Sequence, residues 1–174
     1  MAKQIIVQSP RPAIIEIGKK LGQSLIGAEI GVDKGLNAIF ILETLKPTLL
    51  YLIDPWNNFL DIQSGEIIGE AQYQETIKKL EHYSNKEIIR DISENACKRF
   101  KDEELDFVYI DGDHCFDAVW GDINRWFLKI KKGGILAGHD YHEGIWGVVS
   151  AVNIFCEKNK LPLYLQGQDW WIKK

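Results

Sequence analysis

The sequence AEIGVDKGLNA, residues 28–38, joins a short apolar run to the start of a helical pattern through two glycines. Glu29 lies within the apolar run, and Gly31 and Gly35 flank the turn. Glycines in this place let a ligand approach the backbone, and the free N–H groups of a helix N-terminus can bind it. A tight turn between a strand and a helix explains the same residues without a ligand. The GxGxxG pattern of dinucleotide-binding folds is not met, because Asp33 stands where its second glycine would be.

Further apolar runs follow along the chain. Because they lack polar alternation, they are typical of strands that are covered on both faces of a sheet. The five runs lie at residues 27–32, 49–53, 87–89, 105–110 and 134–137. Together they predict a set of buried parallel strands.

Segments with helical spacing separate these runs. The clearest one carries apolar residues at steps of three and four, and its members are Phe116, Trp120, Ile123, Phe127 and Ile130. We expect Trp120 to lie in the core and Trp126, which adjoins that face, to be partly buried. Other helices are predicted between residues 34 and 47 and over residues 71–83, 93–100 and 145–159.

This alternation of strands and helices predicts an α/β fold, a doubly wound, mostly parallel sheet with helices on both faces. The tail predicts an antiparallel C-terminal edge pair over residues 161–165 and 168–172, around Gly167. The length of 174 residues argues for a single domain over residues 1–174. Residues 1–26 are interpreted as an N-terminal helical extension of that domain.

Composition narrows the function classes. The chain is 45% apolar and 26% charged, which is the balance of a globular protein, and its net charge of −4 disfavours nucleic acid as a partner. No apolar run is long enough to span a membrane, and no signal peptide is recognisable. Cys97, Cys115 and Cys156 form no CxxC pair, so neither a disulfide framework nor a thiolate zinc site is indicated, and we expect a cytoplasmic location. The oligomeric state stays open, and a homodimer is one option.

The predicted strands end in residues that can bind ligands. Asp54 follows its strand about twenty residues after the glycine turn, where a carboxylate can bind a ribose diol, although it could also begin a turn with Pro55. Two further strands end in DGDH, residues 111–114, and GHDYH, residues 138–142. Carboxylates and imidazoles at this density suit a divalent cation such as Mg²⁺, whereas the alternative is that the aspartates cap helices.

Four strings in this order and spacing resemble the class I S-adenosylmethionine-dependent methyltransferases, which have a Rossmann-like fold. They are AEIGVDKGLNA, YLIDPW, LDFVYIDGDH and KKGGILAGHDY. Within that family the chain looks most like the small enzymes related to catechol O-methyltransferase and like metal-dependent sugar O-methyltransferases. The resemblance covers residue 27 to the C-terminus, including the closing DWWIKK.

The resemblance implies S-adenosylmethionine as cofactor and a small molecule as methyl acceptor. Its implied cofactor-binding residues are Glu29, Gly31, Gly35, Asn37, Asp54, Ser93 and Asp111, with Asp54 on the ribose and Ser93 beside the adenine. Its implied metal ligands are Asp111, His139 and Asp140. Because the metal-dependent relatives have a carboxylate where this chain has His139, Mg²⁺, Mn²⁺, Zn²⁺ and no metal all stay open. His114 matches the position of a catalytic lysine or histidine.

The resulting hypothesis is O-methylation of a small-molecule hydroxyl, with His114 as the base and a metal as a further option. A metal-dependent phosphoester hydrolase is one alternative, because Asp and His also gather around two-metal sites. That alternative leaves Glu29, the glycine turn and Asp54 without a role. A non-catalytic nucleotide-binding protein is the other alternative.

Overall fold

The structure is a computed structural model, and it describes residues 11–57, 59–60, 65 and 67–174. The helices are α1 (Pro12–Leu21), α2 (Leu36–Leu45), α3 (Glu70–Leu80), α4 (Ser93–Ala96), α5 (Phe116–Lys129) and α6 (Trp146–Asn159), and a short 3₁₀ helix (Cys97–Arg99) follows α4. The strands are β1 (Ile26–Ile30), β2 (Leu49–Ile53), β3 (Phe59–Leu60), β4 (Ile67–Ile68), β5 (Lys86–Ile89), β6 (Leu105–Ile110), β7 (Ile130–Gly138), β8 (Tyr164–Gln166) and β9 (Asp169–Lys173).

Seven strands form one sheet in the order β5-β2-β1-β6-β7-β9-β8. The first five strands in that order run parallel, whereas β9 pairs antiparallel with both β7 and β8. The predicted α/β sheet with an antiparallel C-terminal edge pair is therefore confirmed. The strand order reverses between β1 and β6, and ligands of open α/β sheets bind beyond the carboxyl ends of the strands at such a reversal.

Helices cover both faces of the sheet. On one face, α1, α2 and α3 enclose an apolar cluster that includes Ile14, Ile41 and Leu80. On the other face, α4, α5 and α6 enclose a second cluster that includes Ala96, Ile123 and Val152. Burial on both sides explains why the parallel strands are mostly apolar and lack a regular polar alternation.

The helix α5 differs from its prediction in the face that it buries. Its buried residues include Val119, Ile123 and Trp126, and Trp126 is fully buried, whereas Trp120 is only partly buried. The expectation for the two tryptophans was therefore wrong in both cases. Trp120 contacts Phe155 of α6, with ring centroids 6.3 Å apart. The apolar stripe read from the sequence includes residues that pack against α6 as well as residues that pack on the sheet.

The N-terminal extension predicted over residues 1–26 is helical over Pro12–Leu21, and residues 1–10 lie outside the described part of the chain. The single-domain assignment stays a prediction. The longest helices of the described residues, α5 and α6, have 14 residues each. Among the described residues, no helix combines the length and apolar character that crossing a bilayer requires.

Candidate active site

The loop after β1 meets the loop after β6 at the reversal of strand order. Gly31 has φ +85°, and a Cβ atom built there would lie 2.3 Å from the carbonyl oxygen of Asp111. A side chain at residue 31 would therefore clash with backbone, so only glycine permits this close approach. The contact places the glycine turn directly beside the DGDH segment of residues 111–114.

Asp54 at the end of β2 holds the β1–α2 loop in place. Its Oδ2 accepts hydrogen bonds from the backbone N–H of Val32 (2.9 Å) and of Asp33 (3.0 Å), and its Oδ1 accepts one from the N–H of Trp56 (2.9 Å). The Asp54 residue is only 4% exposed. Because a carboxylate offers about four acceptor positions, one remains for another donor. Ribose binding by Asp54 stays a prediction, and the structure adds a loop-bracing role that the sequence did not indicate.

Glu29 and Asn37 form a buried polar pair beneath this loop. Asn37 Nδ2 donates a hydrogen bond to Glu29 Oε1 at 2.8 Å. Among the described residues, the buried atoms Glu29 Oε2 and Asn37 Oδ1 have no hydrogen-bond partner. Burial raises the pKa of Glu29 well above its ordinary value, and the hydrogen bond from Asn37 opposes that rise only in part. Unpartnered buried oxygens such as these can accept hydrogen bonds from an ammonium group of a ligand.

The three predicted metal ligands lie together at the ends of β6 and β7. One ligand atom each from Asp111, His139 and Asp140 can be chosen so that all three lie within 4.8 Å of one another. His139 Nδ1 is 3.1 Å from Asp140 Oδ1 and 3.8 Å from Asp111 Oδ1. The predicted juxtaposition is confirmed, whereas metal binding itself stays a prediction.

His114 contacts the same cluster from the loop before α5. Its Nε2 lies 2.9 Å from Asp140 Oδ2. Burial would raise the pKa of Asp140, but the hydrogen bonds from His114 and His139 outweigh burial and hold that pKa below its usual range. Asp140 is therefore a carboxylate that orients both imidazoles. Its backbone has φ +60°, a conformation that non-glycine residues adopt rarely and often at functional sites.

At Asp111, unlike at Asp140, the effect of burial on the pKa prevails over that of the neighbouring cationic groups. Burial raises the pKa of Asp111 to about 6, although Arg11 and His139 both favour the charged form. Arg11 Nη2 lies 3.0 Å from Asp111 Oδ2. This arginine was not among the predicted site residues, because no motif in the sequence links residue 11 to a strand end.

A second unpredicted group, Asp169 of β9, ties α1 to this site. Its Oδ1 accepts a hydrogen bond from the Tyr109 hydroxyl, and its Oδ2 accepts one from the backbone N–H of Ala13, both at 2.9 Å. Arg11 Nη1 donates to the same Tyr109 hydroxyl at 3.2 Å. The start of α1 is thus fixed to the sheet through one buried acid and one buried phenol.

Ser93 lies apart from the acidic cluster, at the start of α4. Its hydroxyl donates to Asp122 Oδ1 and accepts from Trp126 Nε1 at 2.8 Å. The side chain therefore tethers α4 to α5, and its hydroxyl proton is already used. Adenine contact by Ser93 stays a prediction. Ile92, just before it, is 44% exposed at the carboxyl end of β5, where the sequence pattern gave it no role.

A family model described as a methyltransferase domain matches residues 28–141. The matched segment contains Glu29, Asp54, Asp111, His114 and Asp140. The chain is also similar to protein R132 of Acanthamoeba polyphaga mimivirus, with 31% identity over an alignment of 131 residues and coverage of 72% of this chain and 56% of that protein. The chain therefore spans little more than half of the length of this curated relative.

Solved structures share the fold. SMU.1697c of Streptococcus mutans, whose crystal structure contains S-adenosylhomocysteine, superposes with a TM-score of 0.69 at 16% identity, covering 97% of this chain and 99% of that one. The O-methyltransferase from Bacillus cereus, also in complex with S-adenosylhomocysteine, gives a TM-score of 0.71 at 12% identity, covering 96% and 82%. At these identities the likeness shows a common fold.

Proposed function

The chain belongs to the methyltransferase-domain family, and on that basis we propose that it transfers the methyl group of S-adenosylmethionine to a hydroxyl oxygen of a small molecule. S-adenosylhomocysteine, the demethylated form of this donor, occupies the similarly folded proteins from S. mutans and B. cereus. The B. cereus protein is named an O-methyltransferase, which supports oxygen as the acceptor atom. The net charge of −4 favours a small acceptor over a nucleic acid.

The donor would bind at the carboxyl ends of β1 and β2. Glu29 Oε2 and Asn37 Oδ1 are buried acceptors that suit the ammonium group of its methionine part. The remaining acceptor position of Asp54 suits a ribose hydroxyl, and Gly31 allows the β1–α2 loop to pack directly against the backbone of Asp111. Burial favours the neutral form of Glu29. A cationic ligand bound beside Glu29 would favour the carboxylate form, and the attraction between the two charges would be strong because the local dielectric constant is low.

The acceptor hydroxyl would be activated by His114. A neutral hydroxyl is a weak nucleophile, so its proton must leave as the methyl group is transferred. His114 Nε2 lies 2.9 Å from Asp140 Oδ2, so Asp140 orients the imidazole, and an imidazole is the side chain best suited to take up a proton near neutral pH. A positioned base of this kind contributes about 10²–10⁴ in rate. Asp140 then stabilises the positive charge that develops on the ring.

A divalent cation is a further component of the proposal. Two carboxylates and one imidazole with ligand atoms within 4.8 Å of one another are a suitable donor set, so Asp111, His139 and Asp140 would hold the ion. A divalent cation bound there would lower the pKa of an acceptor hydroxyl by Lewis acidity. The roles of Glu29, Asp54 and His114 described above do not depend on that ion.

One observation carries the proposal: the His114–Asp140 pair lies at strand ends next to the glycine turn and the buried Glu29. A base and a pocket for S-adenosylmethionine at adjacent strand ends can hold the acceptor oxygen in line with the sulfur–methyl bond. Such alignment lowers the activation barrier of methyl transfer further. The phosphoester hydrolase alternative gives the buried Glu29–Asn37 pair no task, and the family match argues against it.

The experiment combines calorimetry with a turnover assay. S-adenosylmethionine is titrated into the wild type and into Asp54→Ala, with and without Mg²⁺, and we expect binding to the wild type and a loss of at least tenfold in affinity for the variant. Release of S-adenosylhomocysteine is then measured with a panel of hydroxylated acceptors. His114→Ala should bind the donor as the wild type does and lose about 10²–10⁴ in turnover.

His82→Ala is the matched control, because His82 is an exposed histidine outside the site, and it should keep full turnover. Full turnover by His114→Ala with an identified acceptor would refute the catalytic role. Hydrolysis of a generic phosphoester without S-adenosylmethionine would favour the hydrolase instead. Donor binding without transfer to any acceptor would favour a non-catalytic nucleotide-binding protein.

A further inference from the structure

Arg11 brings a permanent positive charge into the acidic cluster. Its Nη2 lies 3.0 Å from Asp111 Oδ2, and its Nη1 donates to the Tyr109 hydroxyl at 3.2 Å. The Arg11 side chain is only 16% exposed, and the guanidinium carbon is 5.9 Å from the centre of the Tyr109 ring. A guanidinium stays charged at any physiological pH, so this cation belongs permanently to the site.

The position of Arg11 is fixed by α1. Arg11 is the residue that precedes the first turn of α1, and the N–H of Ala13, two residues later, donates to Asp169 Oδ2. Asp169 is 1% exposed, and its other oxygen is held by the Tyr109 hydroxyl. Arg11 can leave Asp111 only if the start of α1 shifts or the arginine side chain swings into solvent.

The same carboxylate is one of the three candidate metal ligands. Asp111, His139 and Asp140 have ligand atoms within 4.8 Å of one another, so a cation on Asp111 Oδ1 would lie close to the guanidinium on Asp111 Oδ2. Like charges at such separations repel strongly where water is partly excluded. Arg11 also partly neutralises the carboxylate charge that would attract a metal.

We propose that Arg11 is an intramolecular cation that competes with divalent metal ions for Asp111, so that docking of the start of α1 sets the metal affinity of the Asp111–His139–Asp140 cluster. Linkage makes this coupling reciprocal, because a metal ion on the cluster must weaken the docking of Arg11 by the same factor. The inference concerns cation binding alone. It can therefore fail or hold independently of methyl transfer.

The first test measures binding of Mn²⁺ alone to the whole chain, by the electron paramagnetic resonance signal of free Mn²⁺, without donor or acceptor. Arg11→Gln should bind Mn²⁺ at least tenfold more tightly than the wild type, and Arg11→Lys, which keeps the charge, should stay within about threefold of it. Arg99→Gln is the matched control, because it removes one exposed arginine charge outside the site, and it should change the affinity less than twofold. The increase in Mn²⁺ affinity caused by Arg11→Gln must be absent when Asp111→Asn is made in the same chain.

The second test uses the unmodified chain and covers the case in which Arg11→Gln fails to fold. Hydrogen exchange of the peptide that contains Ala13 is followed by mass spectrometry in Mn²⁺ at concentrations that saturate the cluster. We expect exchange at the start of α1 to become faster, while exchange in α6 stays unchanged. Three results would each overturn the proposal. They are an Mn²⁺ affinity of Arg11→Gln that is equal to or weaker than that of the wild type, no Mn²⁺ binding to any variant, and unchanged hydrogen exchange at α1 in Mn²⁺-saturated protein.

Discussion

The buried carboxyl group of Glu29 lowers the stability of the fold when it is ionised. A fully buried carboxyl group with one unpartnered oxygen is costly as an anion, which is why burial raises its pKa. The folded chain therefore binds the Glu29 proton more tightly than the unfolded chain does. Its contribution to stability is complete below the ordinary pKa of 4.5 and is lost as the pH rises through the higher folded value.

We predict that Glu29→Gln stabilises the chain and weakens donor binding. The neutral amide avoids the cost of burying a charge, so the free energy of unfolding in urea should exceed that of the wild type at pH 8 and approach it near pH 4. Loss of a charge-assisted hydrogen bond of about 1.5–3 kcal/mol should weaken S-adenosylmethionine binding roughly tenfold to a hundredfold in calorimetry. Glu87→Gln, at an exposed position of β5, is the control and should change neither quantity. Unchanged donor affinity in Glu29→Gln would contradict the assigned role.

The candidate site also shows which residues a sequence can reveal. Asp111, His139 and Asp140 were predictable as a group, because the carboxyl ends of neighbouring parallel strands meet at one edge of a sheet. Arg11 and Asp169 were not predictable, because they reach the site through the docking of α1 and the antiparallel pairing of β9. Those placements depend on tertiary packing, and local spacing carries no signal of them.

At the scale of elements, the sequence predicted β2 and β6 to the residue and most other elements within a few residues. Strands buried on both faces have apolar runs that end where the chain leaves the sheet, and glycine, proline or aspartate marks those ends. The buried face of α5 was harder to predict, because some of its apolar residues pack against the sheet and others pack against α6. Trp126 packs beneath the sheet next to Ser93, while Trp120 contacts Phe155 of α6.

This difference in burial predicts that replacing each of the two tryptophans of α5 with alanine lowers the free energy of unfolding by a different amount. Trp126→Ala should lower the free energy of unfolding by about 3–5 kcal/mol, because it leaves a cavity and removes the hydrogen bond from Trp126 Nε1 to Ser93. Trp120→Ala should cost about half of that or less, because the indole is only partly buried and solvent can fill the gap. Urea unfolding followed by circular dichroism compares the two variants, each serving as the control for the other. A larger loss for Trp120→Ala would show that the buried face of α5 has been assigned wrongly.

At the scale of the whole molecule, the site draws on both faces of the sheet. Arg11 arrives with α1 from one face, and His114 arrives from the loop before α5 on the other face. Both reach the acidic cluster at the carboxyl ends of the neighbouring strands β6 and β7, Arg11 through Asp111 and His114 through Asp140. Assembly of the site thus requires both apolar clusters to form, so folding and function depend on the same packing.

The three cysteines can report on that packing in the intact chain. Cys97 and Cys156 are buried, and burial raises the pKa of Cys156 to about 11, whereas Cys115 is exposed next to His114. A backbone hydrogen bond with Ala118 favours the Cys115 thiolate, but the loss of some thiolate hydration and the hydrogen bond and charge of Asp113 outweigh it and raise the pKa of Cys115. Because thiolates are the reactive species, Cys115 should react with N-ethylmaleimide more slowly than a free cysteine.

We therefore predict a single adduct per chain in native buffer, on Cys115, and three adducts in concentrated urea, as counted by mass spectrometry. The two buried thiols should become reactive together as urea unfolds the chain, because they belong to one apolar cluster between the sheet and α4–α6. Cys115→Ser is the control and should give no native adduct. Native labelling of Cys97 or Cys156 at a rate near that of Cys115 would mean that this face of the sheet opens without global unfolding, and that the His114 side of the site does not share the stability of the core.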